Sequence, residues 1–310
     1  MSKVLAIVCA DLHLCHTVPP ARAAEPDWYA AMKRPIDQVR QLSYAHKCPV
    51  IAAGDIFNRW DSNPELINWA IDHLPKMYAI PGQHDLPHHN YEDIYRTAYW
   101  TLVGAGVIQD LRPNDVGGEL YYNSDDRGSV MMVPFPWGFT VSPIEDEKND
   151  CPPVRLAVVH KYIWQLGTGY PGAPDEARIG NSKGTLRGFD AAVFGDNHKG
   201  FDAKVGNCNV CNCGCLIRRK ADEREYRPAV GLLHSDGKVT RHYLDVSEDK
   251  WIDPVDKPDS VEVEGLSEFM AELAALDADS LDFREAVNRW VSDNKVSNDV
   301  KQLLFDIMGE

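Results

Sequence analysis

No apolar run in this 310-residue chain approaches the ~18 residues of a membrane-spanning helix. The opening MSKVLAIVCADLHL also lacks a small-residue cleavage site after its short apolar stretch. It reads as a first β-strand rather than a signal peptide, and the expected location is the cytoplasm without membrane attachment. Internal repeats and low-complexity runs are absent. With 44% hydrophobic and 25% charged residues and a mean hydropathy of -0.36, wholesale disorder is excluded. Basic charge is scarce: 32 Lys and Arg face 47 Asp and Glu, a net of -15. The deficit is local, since residues 1–244 carry a net of -3 and residues 245–310 a net of -12. The near-neutral body leaves a phosphate-bearing substrate open but gives no support for broad non-specific DNA binding.

What is present is a series of short runs rich in Val, Ile and Ala, each ending in a polar cluster. They are Lys3–Ala10, Pro49–Ala53, Met77–Ile80, Ser129–Phe135, Val154–Val159 and Ala191–Phe194. Such runs predict buried strands. Between the first two, Trp28, Ala31, Met32, Ile36, Val39 and Leu42 recur at helical spacing, and Pro35 predicts a split or a start there. Glu65–Leu74 is a second helix candidate behind Asn63-Pro64. Alternating strands and helices predict an α/β layered core. Residues 165–188, rich in Gly and Pro, read as a long surface loop and a candidate lid or binding loop. Residues 216–244 read as two strands joined by a Ser235-Asp236-Gly237 turn, 245–265 as a linker, and 266–310 as an acidic helical extension.

The chemistry lies where the strands end. The ends are Asp11-Leu12-His13, Gly54-Asp55-Ile56-Phe57-Asn58-Arg59, Gly82-Gln83-His84-Asp85, His160 and Gly195-Asp196-Asn197-His198. In an α/β sheet ligands bind beyond the carboxyl ends of strands. Carboxylates, imidazoles and an amide on one rim suit hard or borderline divalent metals. Each piece alone is more often a polar loop, and the signal is the combination in this order.

These pieces resemble the calcineurin-like metallophosphoesterase superfamily, whose pattern is D-x-H, G-D-x-x-[DN]-R, G-N-H-[DE], a lone His and G-H-x-H. The resemblance covers residues 3–215 and implies a four-layer fold, a β-sandwich flanked by helices, over a catalytic domain spanning 1–244. It implies two divalent metal ions, the first on Asp11, His13, Asp55 and His198, the second on Asp55, Gln83, His160 and Asp196. Asp55 would bridge, His84 would be the catalytic acid, and Asn58 and Arg59 would bind substrate. Manganese is the expected metal, with magnesium, iron and zinc as alternatives. Two such ions ~4 Å apart lower the pKa of a shared water and neutralise phosphoryl oxygens. An imidazole that protonates the leaving oxygen adds roughly 10²–10⁴ in rate. This chain departs from the pattern at the second metal, where Gln83 replaces Asn and Asp196 replaces His.

Asn212-Cys213-Gly214, then Leu216-Ile217-Arg218-Arg219, resembles the segment after the last motif in SbcD-type DNA repair nucleases, including phage-encoded ones. That likeness implies a DNA exonuclease or endonuclease whose C-terminal helices dock on an SMC-like ATPase; a homodimer is a further expectation. The alternatives are a phosphatase or phosphodiesterase acting on phosphoproteins or small nucleotides, and a catalytically weak adaptor. Arg218, Arg219, Lys220, Arg224 and Arg227 are interleaved with acids and read equally as a solvated face or a phosphate contact. Trp137, Tyr162 and Trp164 lie near motif ends and could stack on bases, though core packing is commoner. Cys208, Cys211, Cys213 and Cys215 are dense enough for zinc but lack a distant partner pair, so the expectation is no structural zinc.

Overall fold

All six apolar runs form strands in the computed structural model, which describes residues 2–112, the backbone of 120–124, and residues 128–144 and 153–252. These residues belong to the first of two units, Met1–Asp253 and Pro254–Glu310. The expected extension 266–310 lies outside them, as does most of the expected linker.

The strands are β1 (Val4–Cys9), β2 (Val50–Ala53), β3 (Met77–Ile80), β4 (Ile108–Asp110), β5 (Leu120–Ser124), β6 (Gly128–Phe135), β7 (Val154–His160), β8 (Ala191–Gly195), β9 (Phe201–Val205), β10 (Cys208–Asn212), β11 (Ala229–His234) and β12 (Val239–Tyr243). They form two six-stranded sheets, β12-β11-β1-β2-β3-β4 and β5-β6-β7-β8-β10-β9. In the first, β1 to β4 are parallel; in the second, β6, β7, β8 and β10 are parallel. The parallel strands are apolar along their length because both of their faces are covered.

Alternation along the strands divides the core into three parts. Ile7, Cys9, Val50 and Ala52 face α1 (Trp28–His46), α2 (Pro64–His73) and α3 (Ala98–Gly104). Val8, Ala10, Ile51 and Ala53 face Val130, Met132, Val158 and Val193 across the space between the sheets. Val133, Phe135, Val159 and Phe194 point outward on the second sheet, where Ile163, Ile179, Leu186 and Phe189 cover them. The 165–188 segment is therefore the fourth layer, made of loop and short 3-10 turns rather than a helix or a free lid. Each of its buried apolar side chains contributes roughly 1.5–3 kcal/mol.

Helix α1 runs straight through Pro35, contrary to the predicted break. The ring is buried within the apolar face formed by Trp28, Ala31, Met32, Ile36 and Val39, and that packing outweighs the lost backbone bond. Asp27 caps it by accepting from the Ala30 N–H at 3.0 Å, and Asn63 caps α2 through the Leu66 N–H at 2.9 Å. Strands β11 and β12 form the expected hairpin, turning at Gly237 with φ of 76°.

The first residues of the expected linker are a packed strap. Asp249 pairs with Arg22 at 2.9 Å and Arg218 at 2.8 Å, and both guanidiniums lie against the Trp251 ring. Strand β10 sorts the cysteines by face. Cys208 joins the outer core of the second sheet, while Cys211 and Cys213, 3.9 Å apart, lie between the sheets.

Candidate metal centre

Parallel strands place their carboxyl ends together, so the turns after β1, β2, β3, β7 and β8 meet at one rim. Asp11, His13 and Asp55 sit there in left-handed backbone, with φ of 52°, 46° and 53°, and Asp196 has 87°. A non-glycine residue held so costs of order 1–3 kcal/mol. The turns are locked by backbone bonds from Asp11 N–H to Gly54 O at 3.1 Å and from His13 N–H to Asp55 O at 2.9 Å, answered by Asn58 N–H to Leu14 O at 2.9 Å. Gly54 and Gly82 are needed for close approach. A Cβ at Gly54 would lie 2.1 Å from the His160 Nδ1, and one at Gly82 2.1 Å from the Asp55 Oδ1.

The structure gathers five of the seven residues expected to hold metal, Asp11, His13, Asp55, His160 and His198, into shared groups, and His84, expected to act as an acid and not as a ligand, joins one of them. Three groups offer ligand atoms within 4.8 Å of one another: Asp11, His13 and His198; His13, Asp55 and His84; and Asp11, Asp55 and His160. The Asp55 Oδ2 is 3.5 Å from both His13 Nε2 and His160 Nε2 and has no hydrogen-bond partner although buried. An orphaned carboxylate oxygen between two imidazoles is what a shared ligand presents before its cations. His13 and His198 face each other through their Nε2 atoms at 2.9 Å. The His160 Nδ1–H donates to the Ala53 carbonyl at 2.6 Å, which aims Nε2 into the centre. The donor set fits two divalent cations.

The two departures from the family pattern touch each other. The Gln83 Nε2 donates to the Asp196 Oδ1 at 2.7 Å, and the Gln83 Oε1 lies 2.6 Å from the His160 Nε2. Asp196 is in none of the three groups; its backbone N–H donates to both Asp11 carboxylate oxygens, at 3.0 and 3.1 Å. Gln83 thus lies against His160, and Asp196, expected as a ligand, holds the Gln83 amide instead.

Charge is strongly shifted here. Burial pushes Asp11 up to about 7 against the pull of His160 and His198. Burial opposes the charge on Asp55 as well, but His160, His13 and His84 outweigh it and hold the carboxyl well below the usual range. Burial lowers His13 well below an ordinary imidazole. Burial also opposes charge on His160, yet Asp55 and the other carboxylates raise it to about 10.

His84 is exposed, and its ring packs edge-on against His13 at 4.8 Å. Its Nδ1–H donates to the Asn58 carbonyl at 2.9 Å, and its backbone N–H to the Asp55 Oδ1 at 3.0 Å. Of the two residues expected to bind substrate, Arg59 is turned to solvent and forked onto Asp61 at 2.9 Å. Asn58 remains at the rim as the support of His84. Trp137 stands at the edge, its ring 6.4 Å from His160, while Trp164 is packed under Arg178 and Tyr162 accepts from the Tyr170 N–H.

Two residues at the site were not expected there as such. Glu223 puts a carboxylate 3.7 Å from the His198 Nδ1 and accepts the N–H groups of Arg219 and Lys220, at 2.5 and 3.0 Å. Its visible signal is an acid three residues after Lys220, a capping pattern. The buried Asp85 accepts from Gly82, Ile56 and Phe57, tying the β2 and β3 turns together.

No curated protein matches the chain. Among solved structures, the sulfate thiohydrolase SoxB of Thermus thermophilus is 12% identical with a TM-score of 0.46, covering 87% of this chain and 60% of its own length. The chain therefore spans less than two thirds of that protein. The calcineurin-like phosphoesterase YfkN of Bacillus subtilis is 12% identical with a TM-score of 0.46, covering 80% of this chain and 92% of that one. A dimetal phosphatase of Danio rerio is 10% identical with a TM-score of 0.43, covering 78% and 100%. The assignment does not rest on such remote likenesses. The family model of the calcineurin-like phosphoesterases matches residues 5–200, well over half of the chain and all the strand-end motifs. This chain belongs to that family, whose members hydrolyse phosphoester bonds at metal centres.

Proposed function

We propose that the chain is a nuclease that hydrolyses phosphodiester bonds of DNA with manganese as its metal. The observation that carries this reading is His84. With Nδ1–H committed to the Asn58 carbonyl, Nε2 is the ring nitrogen left for chemistry, on an exposed ring beside the donor set. The alkoxide leaving a diester needs a proton, and an imidazolium at that place can give one. Bound divalent cations supply a water of lowered pKa and screen the phosphoryl charge. Asp55 and Gly82 fix the turn that presents His84, and Trp137 offers an aromatic edge for a base. The likeness of 212–219 to the SbcD-type segment supports DNA over a small ester, and an SMC-like ATPase as partner.

The test is cleavage of linear duplex and single-stranded DNA, and of p-nitrophenyl phosphate esters, each with and without manganese. Manganese-dependent DNA cleavage is expected. Ester hydrolysis with no DNA cleavage would replace the nuclease by a phosphatase. No turnover of any substrate would favour the adaptor.

A further inference from the structure

Resting on the phosphoesterase reading, we propose that Arg219 is the substrate-phosphate contact of this centre, held in place by Asn58. The Arg219 Nη1 donates to the Asn58 Oδ1 at 2.5 Å, and the same Asn58 holds His84 through its carbonyl. One residue thus ties the cation, through its side chain, and the candidate acid, through its backbone carbonyl, to the same point on the rim. Among the described residues no carboxylate pairs with the Arg219 guanidinium. Glu223 takes its backbone N–H instead. The Arg219 Nε is buried with no hydrogen-bond partner.

A half-buried guanidinium without a counter-ion is costly unless an anion arrives. Two other arginines close by are already matched. Arg218 is spent on Asp249 and Arg59 on Asp61. Arg219 therefore supplies, beside the carboxylate-rich donor set, a fixed positive fork of the geometry that phosphate oxygens accept. Its neighbour in sequence is a strut while it is a contact, because the backbone turn at 218–220 sends one side chain inward and the other to the rim.

The experiment titrates inorganic phosphate into the full chain loaded with manganese, by calorimetry, and measures KM and kcat on bis-p-nitrophenyl phosphate. In Arg219→Ala, phosphate affinity should fall ten- to hundredfold, the loss expected of a charge-assisted hydrogen bond. Manganese content should stay that of the unaltered chain, KM should rise more than kcat falls, and Arg219→Lys should recover part of the affinity. Asn58→Ala keeps the backbone carbonyl that holds His84, and should lose about tenfold in phosphate affinity by freeing the guanidinium. Unchanged phosphate affinity in Arg219→Ala would overturn the proposal, whether or not kcat falls. Should that variant not fold, unchanged affinity in both Arg219→Lys and Asn58→Ala would overturn it. A chain that binds phosphate through Arg219 yet hydrolyses no ester would sink the phosphoesterase reading and leave the contact standing.

Discussion

Asp55 divides its two oxygens between different tasks. Oδ1 accepts the His84 N–H, while Oδ2 is the buried orphan between His13 and His160. Asp55→Asn keeps an acceptor for His84 but removes the charge that both imidazoles face. Elemental analysis should then find fewer than two manganese ions per chain, with hydrolysis eliminated; two tightly held ions would contradict the shared role. His84 is different, because its ring is exposed and its place depends on Asn58 and Asp55 rather than the reverse. His84→Ala should leave manganese content nearly intact and lower turnover by roughly 10²–10⁴. The loss should shrink for substrates with good leaving groups. Near-normal rates on linear DNA would remove His84 from the chemistry. The Gln83–Asp196 contact gives the two departures from the family pattern a physical link: each residue's partner is the other, so their substitutions should be coupled rather than additive.

At the scale of elements, the site is a set of turns clamped to each other. The turns after β1 and β2 exchange backbone bonds, Leu216 N–H reaches the Asp11 carbonyl at 3.1 Å, and Cys215 N–H reaches the His198 carbonyl at 3.1 Å. Asp85 is the clamp between the β2 and β3 turns, and its three acceptor bonds all come from backbone N–H groups. Burial, then the nearby Asp55, raises its carboxyl to about 7, and the three N–H donors pull it down. Asp85→Ala orphans three buried N–H groups, and at about 1–3 kcal/mol each the expected loss is several kcal/mol. Urea unfolding measures it. A loss under about 1 kcal/mol would mean that the turns hold without the clamp.

For the molecule as a whole, the centre is a buried charge problem that cations solve. His160, raised to about 10, holds its proton in the folded chain at neutrality, while Asp11, raised to about 7, is releasing its own there. The signs differ. A carboxyl raised above its unfolded value costs cation-free stability as pH rises from about 4 to about 7, because the folded state keeps a proton the unfolded state has released. An imidazole raised above its unfolded value contributes stability below about 6.5 that is lost as pH climbs toward about 10. A cation must displace both protons. Manganese affinity should therefore rise steeply with pH below about 7 and more gently above it. Competition titrations between pH 6 and 8.5 check this, and a flat profile would refute it.

The six apolar strands, the hairpin at Gly237, the Asn63 cap and the motif residues were legible in the sequence because they depend on local chemistry: apolar runs, turn formers and side chains at strand ends; β4, β5, β9 and β10, short or polar, were not. Alternation could not say that the 165–188 loop would become the outer layer of the second sheet, since Ile179 and Leu186 have no periodicity until a sheet lies beneath them. Nor could it say that Pro35 would sit inside a helix, because the packing that overrides its lost bond comes from other strands. Arg218 and Arg219 are neighbours of identical type, and only tertiary contacts made one a strut on Asp249 and the other a cation over Asn58. The sequence by itself determined which side chains could bind metal and where the strands that carry them would end. The tertiary structure decided which of them meet, because parallel strands in two facing sheets bring residues as distant as Asp11 and His198 to one rim, and only there do burial and mutual charge turn donors into a centre.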